Sequence, residues 1–159
     1  MGISTFLLFE CGKSIAANDL LWSINNLCIR DHLYFDTEEE KYTINGDLKY
    51  CRVYISDFPF TEECSRPLCF SLFDEPYEYQ TVSFKWDDTG EEYFKAMESD
   101  DFWENEDLLL RFVYGILKVY PRAKVWVEED WFYTLEDLEK IKKQPYDGNW
   151  CYRHPKLSS

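Results

Sequence analysis

A large acidic excess joined to a high aromatic content sets the first constraint on this chain. It carries 31 Asp plus Glu against 17 Lys plus Arg, a formal net charge of -14 over 159 residues, yet 19% of it is aromatic. Acidic segments that stay disordered are poor in aromatics, because they cannot bury enough apolar surface to offset the entropy of ordering. With 12 Phe, 12 Tyr and 6 Trp, this chain has that surface. It is therefore expected to fold with its acids outward. Such a surface repels nucleic acid and anionic membranes and attracts basic partners.

The length suits one domain over residues 1–159, enough to bury a sizeable core. No apolar run approaches the roughly 20 residues of a membrane-crossing helix. The longest early run, residues 6–9, has no basic segment ahead of it and closes at Glu10, unlike a secretory signal. Met1-Gly2 opens like a myristoylation site, but Phe6 stands where Ser or Thr is needed. A cytoplasmic location is the expectation. Cys11, Cys28, Cys51, Cys64, Cys69 and Cys151 are then read as reduced thiols, since disulfide frameworks belong to small secreted domains.

Hydrophobic periodicity predicts the elements. Residues 3–9 read as a buried strand. Leu20, Leu21, Ile24, Leu27 and Cys28 recur at helical spacing after Asn18. Asn45-Gly46 predicts a hairpin between residues 41–44 and 47–55. Alternation at Leu68, Phe70 and Leu72, and at Val82, Phe84 and Trp86, predicts two more strands. Leu109, Phe112, Val113, Ile116, Leu117 and Tyr120 form one stripe on a helix over about residues 103–119, capped by Asp100 or Asp101 and ended by Pro121. Short strands are expected at residues 123–127 and 131–133. Thr134 and Asp137 form a capping-box pattern ahead of a last helix that Pro145 stops. The fold class expected is α+β: a mostly antiparallel sheet of about six strands with about three helices packed on one face. A loose basic tail is expected over about residues 146–159.

Three motifs touch chemistry. Cys11-Gly12-Lys13-Ser14 sits where a phosphate-binding loop would, between a strand and a helix, but Leu7 occupies the position of that loop's first glycine. Cys28 with His32, and Cys151 with His154, have zinc-like short spacings, and Cys64 with Cys69 makes a third pair, none of them a C-x-x-C. Glu39-Glu40-Lys41 loosely echoes the carboxylate–lysine cluster of metal-dependent nucleases, inside an acid run that repels nucleic acid. None of these names a reaction.

The acids themselves are concentrated. Ten lie between Asp87 and Asp107, opposed only by Lys95, and Tyr93, Phe94, Phe102 and Trp103 are interleaved with them. Smaller groups are Asp36 with Glu38, Glu39 and Glu40, and Glu128, Glu129 and Asp130 beside Trp131. Interface hot spots pair aromatic anchors with complementary charge. The partner-binding residues expected are Asp87, Asp88, Glu91, Glu92, Asp100, Asp101, Trp103, Glu104, Glu128, Glu129, Asp130 and Trp131. The competing account makes the acids a solvated face and the aromatics core.

The function expected is therefore binding, with neither catalysis nor a cofactor. The partner is a basic protein. The most concrete form is an immunity protein or antitoxin that neutralises a bacterial nuclease toxin, since nuclease sites are basic in order to hold phosphate. One alternative is a nucleic-acid mimic or regulatory adaptor for a host DNA- or RNA-binding protein. Another is a metal-assisted hydrolase built on clustered carboxylates or the Cys/His set. Direct contact with nucleic acid or membrane is not expected.

Overall fold

The computed structural model describes residues 2–155. Seven strands form one sheet: β1 (Phe6–Glu10), β2 (Tyr34–Tyr42), β3 (Leu48–Ser56), β4 (Leu68–Phe73), β5 (Thr81–Val82), β6 (Tyr93–Ser99) and β7 (Lys124–Trp126). Its order is β2-β3-β4-β6-β1-β7, with β5 paired to β6 beside β4, and every pairing is antiparallel. Three α-helices, α1 (Ala17–Arg30), α2 (Glu106–Val119) and α3 (Leu135–Lys142), share a core with the sheet. The expected α+β class with a mostly antiparallel sheet is what the chain adopts.

Strand alternation sends Leu7 and Phe9 to the helical core, and Phe6 and Leu8 to the opposite face. There a second cluster forms. Phe6 and Leu8 join Tyr93, Phe84, Trp126 and Phe132 in it. Lys124 is held among these rings. Its Nζ lies 4.9 Å from the Phe132 ring centre and donates to the Tyr93 hydroxyl at 3.2 Å.

α1 and α2 run antiparallel, as three contacts along their length show. Ser23 Oγ meets Tyr120 Oη at 2.6 Å, Leu27 faces Gly115, and Arg111 Nη2 donates to the Asp31 carbonyl at 3.4 Å. Gly115 marks the closest approach: a Cβ there would overlap the buried Leu27 Cδ1. α3 starts at the capping box the sequence predicts. Asp137 N donates to Thr134 Oγ1 at 3.3 Å, and Thr134 N donates to Asp137 Oδ2 at 2.9 Å.

Several expectations change. Strand β6 replaces what reads in sequence as part of an acid run. Of residues 82–86, only Val82 is in the ladder; the alternation of Phe84 and Trp86 reflects rings turned toward the second cluster. The hairpin turn at Asn45-Gly46 forms, with Gly46 at φ 87, but its first strand begins at Tyr34. Acids Asp36, Glu38, Glu39 and Glu40 thus lie on an edge strand, with a register shift between Glu38 and Lys41. Charge and irregularity of this kind discourage edge-to-edge pairing. Residues 131–133 contribute one bridge, Val125 with Tyr133, rather than a strand.

Helix α2 begins at Glu106, three residues later than about Trp103, and neither Asp100 nor Asp101 caps it. The tail is not loose where it is described. Trp150 is 1% exposed, and its Nε1 donates to the Glu106 carbonyl at 2.9 Å; Tyr133 Oη donates to the Trp150 carbonyl at 3.1 Å. A buried indole with its N–H satisfied anchors a segment that charge alone marks as solvated. Residues 156–159, including Lys156, lie outside the described residues.

The close α1–α2 crossing gives a test. Gly115→Ala raises intrinsic helix propensity, yet it overpacks against Leu27. Urea unfolding of the variant is expected to show a loss of about 1–3 kcal/mol. A gain would show that the helices separate freely at that point.

Candidate functional site

Strand β6 divides eight of the twelve predicted partner-binding residues into two groups. Asp87, Asp88, Glu91 and Glu92 precede it, and Asp100, Asp101, Trp103 and Glu104 follow it. Seven residues of strand, at ~3.3 Å each, hold the groups roughly 20 Å apart. A single continuous acidic stretch, as the sequence suggests, is therefore not what a partner meets.

The first group surrounds a turn. Asp87 Oδ2 accepts from the Thr89 hydroxyl at 2.9 Å and the Tyr93 hydroxyl at 3.1 Å, and Oδ1 accepts from Thr89 N at 3.3 Å. Desolvation works to raise the Asp87 pKa, but these donors outweigh it and hold the carboxyl below its ordinary value. Asp87 is thus engaged in shaping the turn. Asp88, Glu91 and Glu92 are exposed around it.

The second group is assembled by the sheet. Ser99 N donates to the Thr5 carbonyl at 2.8 Å and Thr5 N to Ser99 Oγ at 2.7 Å, so the exit of β6 is pinned beside the entry of β1. β7 leaves the sheet at the same end, because it and β6 both run antiparallel to β1. Glu128, Glu129 and Asp130 therefore join Asp101. The segment ahead of β1 links them: Ile3 N donates to Asp101 Oδ1 at 3.3 Å, and Ser4 N to Glu128 Oε2 at 3.0 Å. Trp126 Nε1 donates to the Glu129 carbonyl at 2.7 Å and holds the second turn.

Internal cations occupy part of this charge. Arg52 grips Asp100 with two parallel bonds, Nη2–Oδ2 at 2.6 Å and Nη1–Oδ1 at 3.1 Å; the pairing with Asp100 raises the guanidinium pKa further. Arg66 pairs with Glu104, and Asn105 Nδ2 donates to the Arg66 carbonyl at 2.6 Å. These bonds tie the loop of residues 57–67 to the loop of residues 100–105. Glu129 and Asp130 are exposed, and their carboxylates have no such partner among the described residues.

Trp103 stands on this rim 70% exposed, while its neighbour Phe102 is 1% exposed in the core. Asp101 Oδ1 accepts from Trp103 N at 3.1 Å, and Glu104 takes a φ of 67. Glu128 across the patch also has a positive φ, 57. Backbone held in this region by a long side chain is disfavoured and gathers at functional turns. Trp131 is only half-buried and packs its ring 5.3 Å from that of His154. Tyr93 and Phe94 belong to the buried strand and are core.

Sequence reasoning missed Phe58 and Phe60, exposed on the 57–67 loop beside Asp57, Glu62 and Glu63. The signal was Phe58 and Phe60 flanking Pro59, in a stretch without strand or helix period. Trp22 and Ile29 are also exposed, seven residues apart along α1, but residues 20–30 carry no acid.

The other motifs resolve differently. Gly12 N donates to both Glu75 carboxylate oxygens, at 3.2 and 3.0 Å, and Lys13 pairs with Glu10 at 2.9 Å. Carboxylates thus take the donors a phosphate would need. Glu39 and Glu40 lie on the β2 edge. All six cysteines are free. Cys28 and Cys151 are buried, and burial pushes each thiol up to about 12; Cys51 goes up to about 11 for the same reason. Among the described residues no group of three or more His, Cys, Asp or Glu side chains could hold a metal ion, and no helix is long and apolar enough to cross a membrane.

No protein-family model, curated protein or solved structure matches this chain.

Two outcomes follow from burial. Trp103→Ala is expected to change unfolding free energy by less than about 0.5 kcal/mol, whereas Phe102→Ala removes about 3–5 kcal/mol; comparable losses would place Trp103 in the core. At pH 8, a thiol reagent is expected to label Cys11 and Cys64 in the folded protein. Labelling of Cys28, Cys51 and Cys151 should wait for denaturant.

Proposed function

We propose that this protein binds and neutralises a basic protein through the Asp100–Glu104 and Glu128–Trp131 end of its sheet. In its most concrete form the partner is a nuclease toxin and the protein its immunity factor. The observation that carries the reading is the exposed Trp103, on the turn whose Asp101 is joined through Ile3 and Ser4 to the acidic turn at Glu128. Burying most of an indole contributes roughly 4 kcal/mol of gross apolar gain, against about 0–1 kcal/mol for a typical exposed ion pair. The anchor supplies affinity, and the carboxylates supply steering and partner choice. Nuclease substrate channels are positive because they hold phosphate, so an acidic patch of this kind matches their field and covers the channel. The role needs no catalytic group and no cofactor.

Native mass spectrometry of the chain purified from its own source, without added metal, tests this reading. The expected result is a basic protein bound at fixed stoichiometry, whose nuclease activity falls to zero at one equivalent. A bare chain, or a partner with unaltered activity, overturns the proposal. In the complex, Glu129→Lys with Asp130→Lys is expected to slow association at least tenfold and flatten its salt dependence. Trp103→Ala is expected to speed dissociation at least tenfold with an unchanged melting temperature. Unaltered rates in both variants would move the interface elsewhere.

A further inference from the structure

The Cys11–Ser14 turn opens onto a cleft at the other end of the sheet from Trp103. The cleft has a volume of about 590 Å³, in the range of small-molecule sites. It forms where β1 ends and where the chain leaves α2. Its floor is apolar: Phe9, Ile15, Val119 and Tyr120. Phe9 and Tyr120 meet edge to face at 6.0 Å, and the 2.6 Å contact of Tyr120 Oη with Ser23 Oγ fixes that ring. Val119 is 46% exposed, at a position where a helix ordinarily ends in polar residues.

The rim carries the opposite charge from the protein as a whole. Glu10 lies among Lys13, Arg122 and Lys124, and its bond with Lys13, aided by the other two, lowers its pKa. Lys13 is committed to Glu10 at 2.9 Å, and Lys124 to Tyr93 and the ring cluster. Arg122 is left at the mouth of the cleft without an ion pair among the described residues. A chain with 31 acids and 17 bases thus presents, beside an apolar floor, a guanidinium whose neighbouring carboxylate, Glu10, is already bonded to Lys13.

We infer that this cleft binds a small amphipathic carboxylate, its apolar tail on Phe9, Ile15, Val119 and Tyr120 and its head group on Arg122. A guanidinium takes a carboxylate through two parallel hydrogen bonds, a geometry a lysine lacks. Phosphate is a poorer fit, because the Gly12 N–H is already bonded to Glu75. The inference is independent of the partner reading, since the two sites lie at opposite ends of β6.

Calorimetry with the full chain, and methyl NMR of Ile15 and Val119, test it with hexanoate, octanoate, octylamine and inorganic phosphate as probes. Octanoate is expected to saturate one site, with affinity rising about fourfold per added methylene from hexanoate, and to shift the Ile15 and Val119 methyls. Octylamine and phosphate should bind at least tenfold more weakly. Arg122→Ala is expected to weaken octanoate at least tenfold, and Val119→Ser to flatten the chain-length dependence, both with unchanged melting temperatures. Absence of saturation, shifts elsewhere in the protein, equal binding of octylamine or phosphate, or indifference to Arg122→Ala overturns the inference.

Discussion

Strand β6 is paired along both edges and buried on both faces, and its position governs what the acids around it do. β1 bonds one edge; β4 and β5 share the other. Phe94, Ala96 and Met97 enter the helical core, while Tyr93 enters the second aromatic cluster. A strand held this way has no room for charge along its buried positions. The acids that crowd the sequence on either side are driven to its two ends, where the chain turns in water. The reciprocal bonds between Thr5 and Ser99 then set which turns become neighbours.

The acidic excess is accommodated by distribution more than by neutralisation. Asp100 and Glu104 are held by Arg52 and Arg66, and Asp101 and Glu128 accept the backbone N–H groups of Ile3 and Ser4, ahead of β1. Acids on β2 guard an edge that would otherwise present unpaired backbone groups. Among the described residues Glu129 and Asp130 remain exposed without an ion pair, on the turn whose Glu128 shares the segment of residues 3–4 with Asp101. Self-repulsion of this kind opposes folding. The aromatic core supplies the opposing term, and it does so on both faces of the sheet.

The helices were legible because each carries a clean period. The stripe from Leu109 to Tyr120 and the Thr134–Asp137 capping box specify α2 and α3 locally, with little help from the rest of the chain. Strand β6 was not legible. Its sequence, Tyr-Phe-Lys-Ala-Met-Glu-Ser, mixes good helix formers with aromatics and has no strict alternation, and only pairing with β1 and β4 makes it a strand. For the same reason the site was read as one stretch. Acids adjacent in sequence were separated by β6, and Glu128–Asp130, distant in sequence, were brought to Asp101 by the shared end of β1. Aromatic roles were equally invisible: Phe102 and Trp103 are neighbours, one in the core and one in solvent, because the chain turns between them.

The sequence by itself determined that this chain folds, that its surface is acidic and that it combines helices with an antiparallel sheet. Composition and short-range periodicity decide those properties, and both are written residue by residue. The tertiary structure alone decided which carboxylates are spent on internal partners, which aromatic rings face water, and where an apolar cleft meets Arg122. Those outcomes depend on which strand ends lie side by side, and that is fixed by long-range pairing that no local pattern encodes.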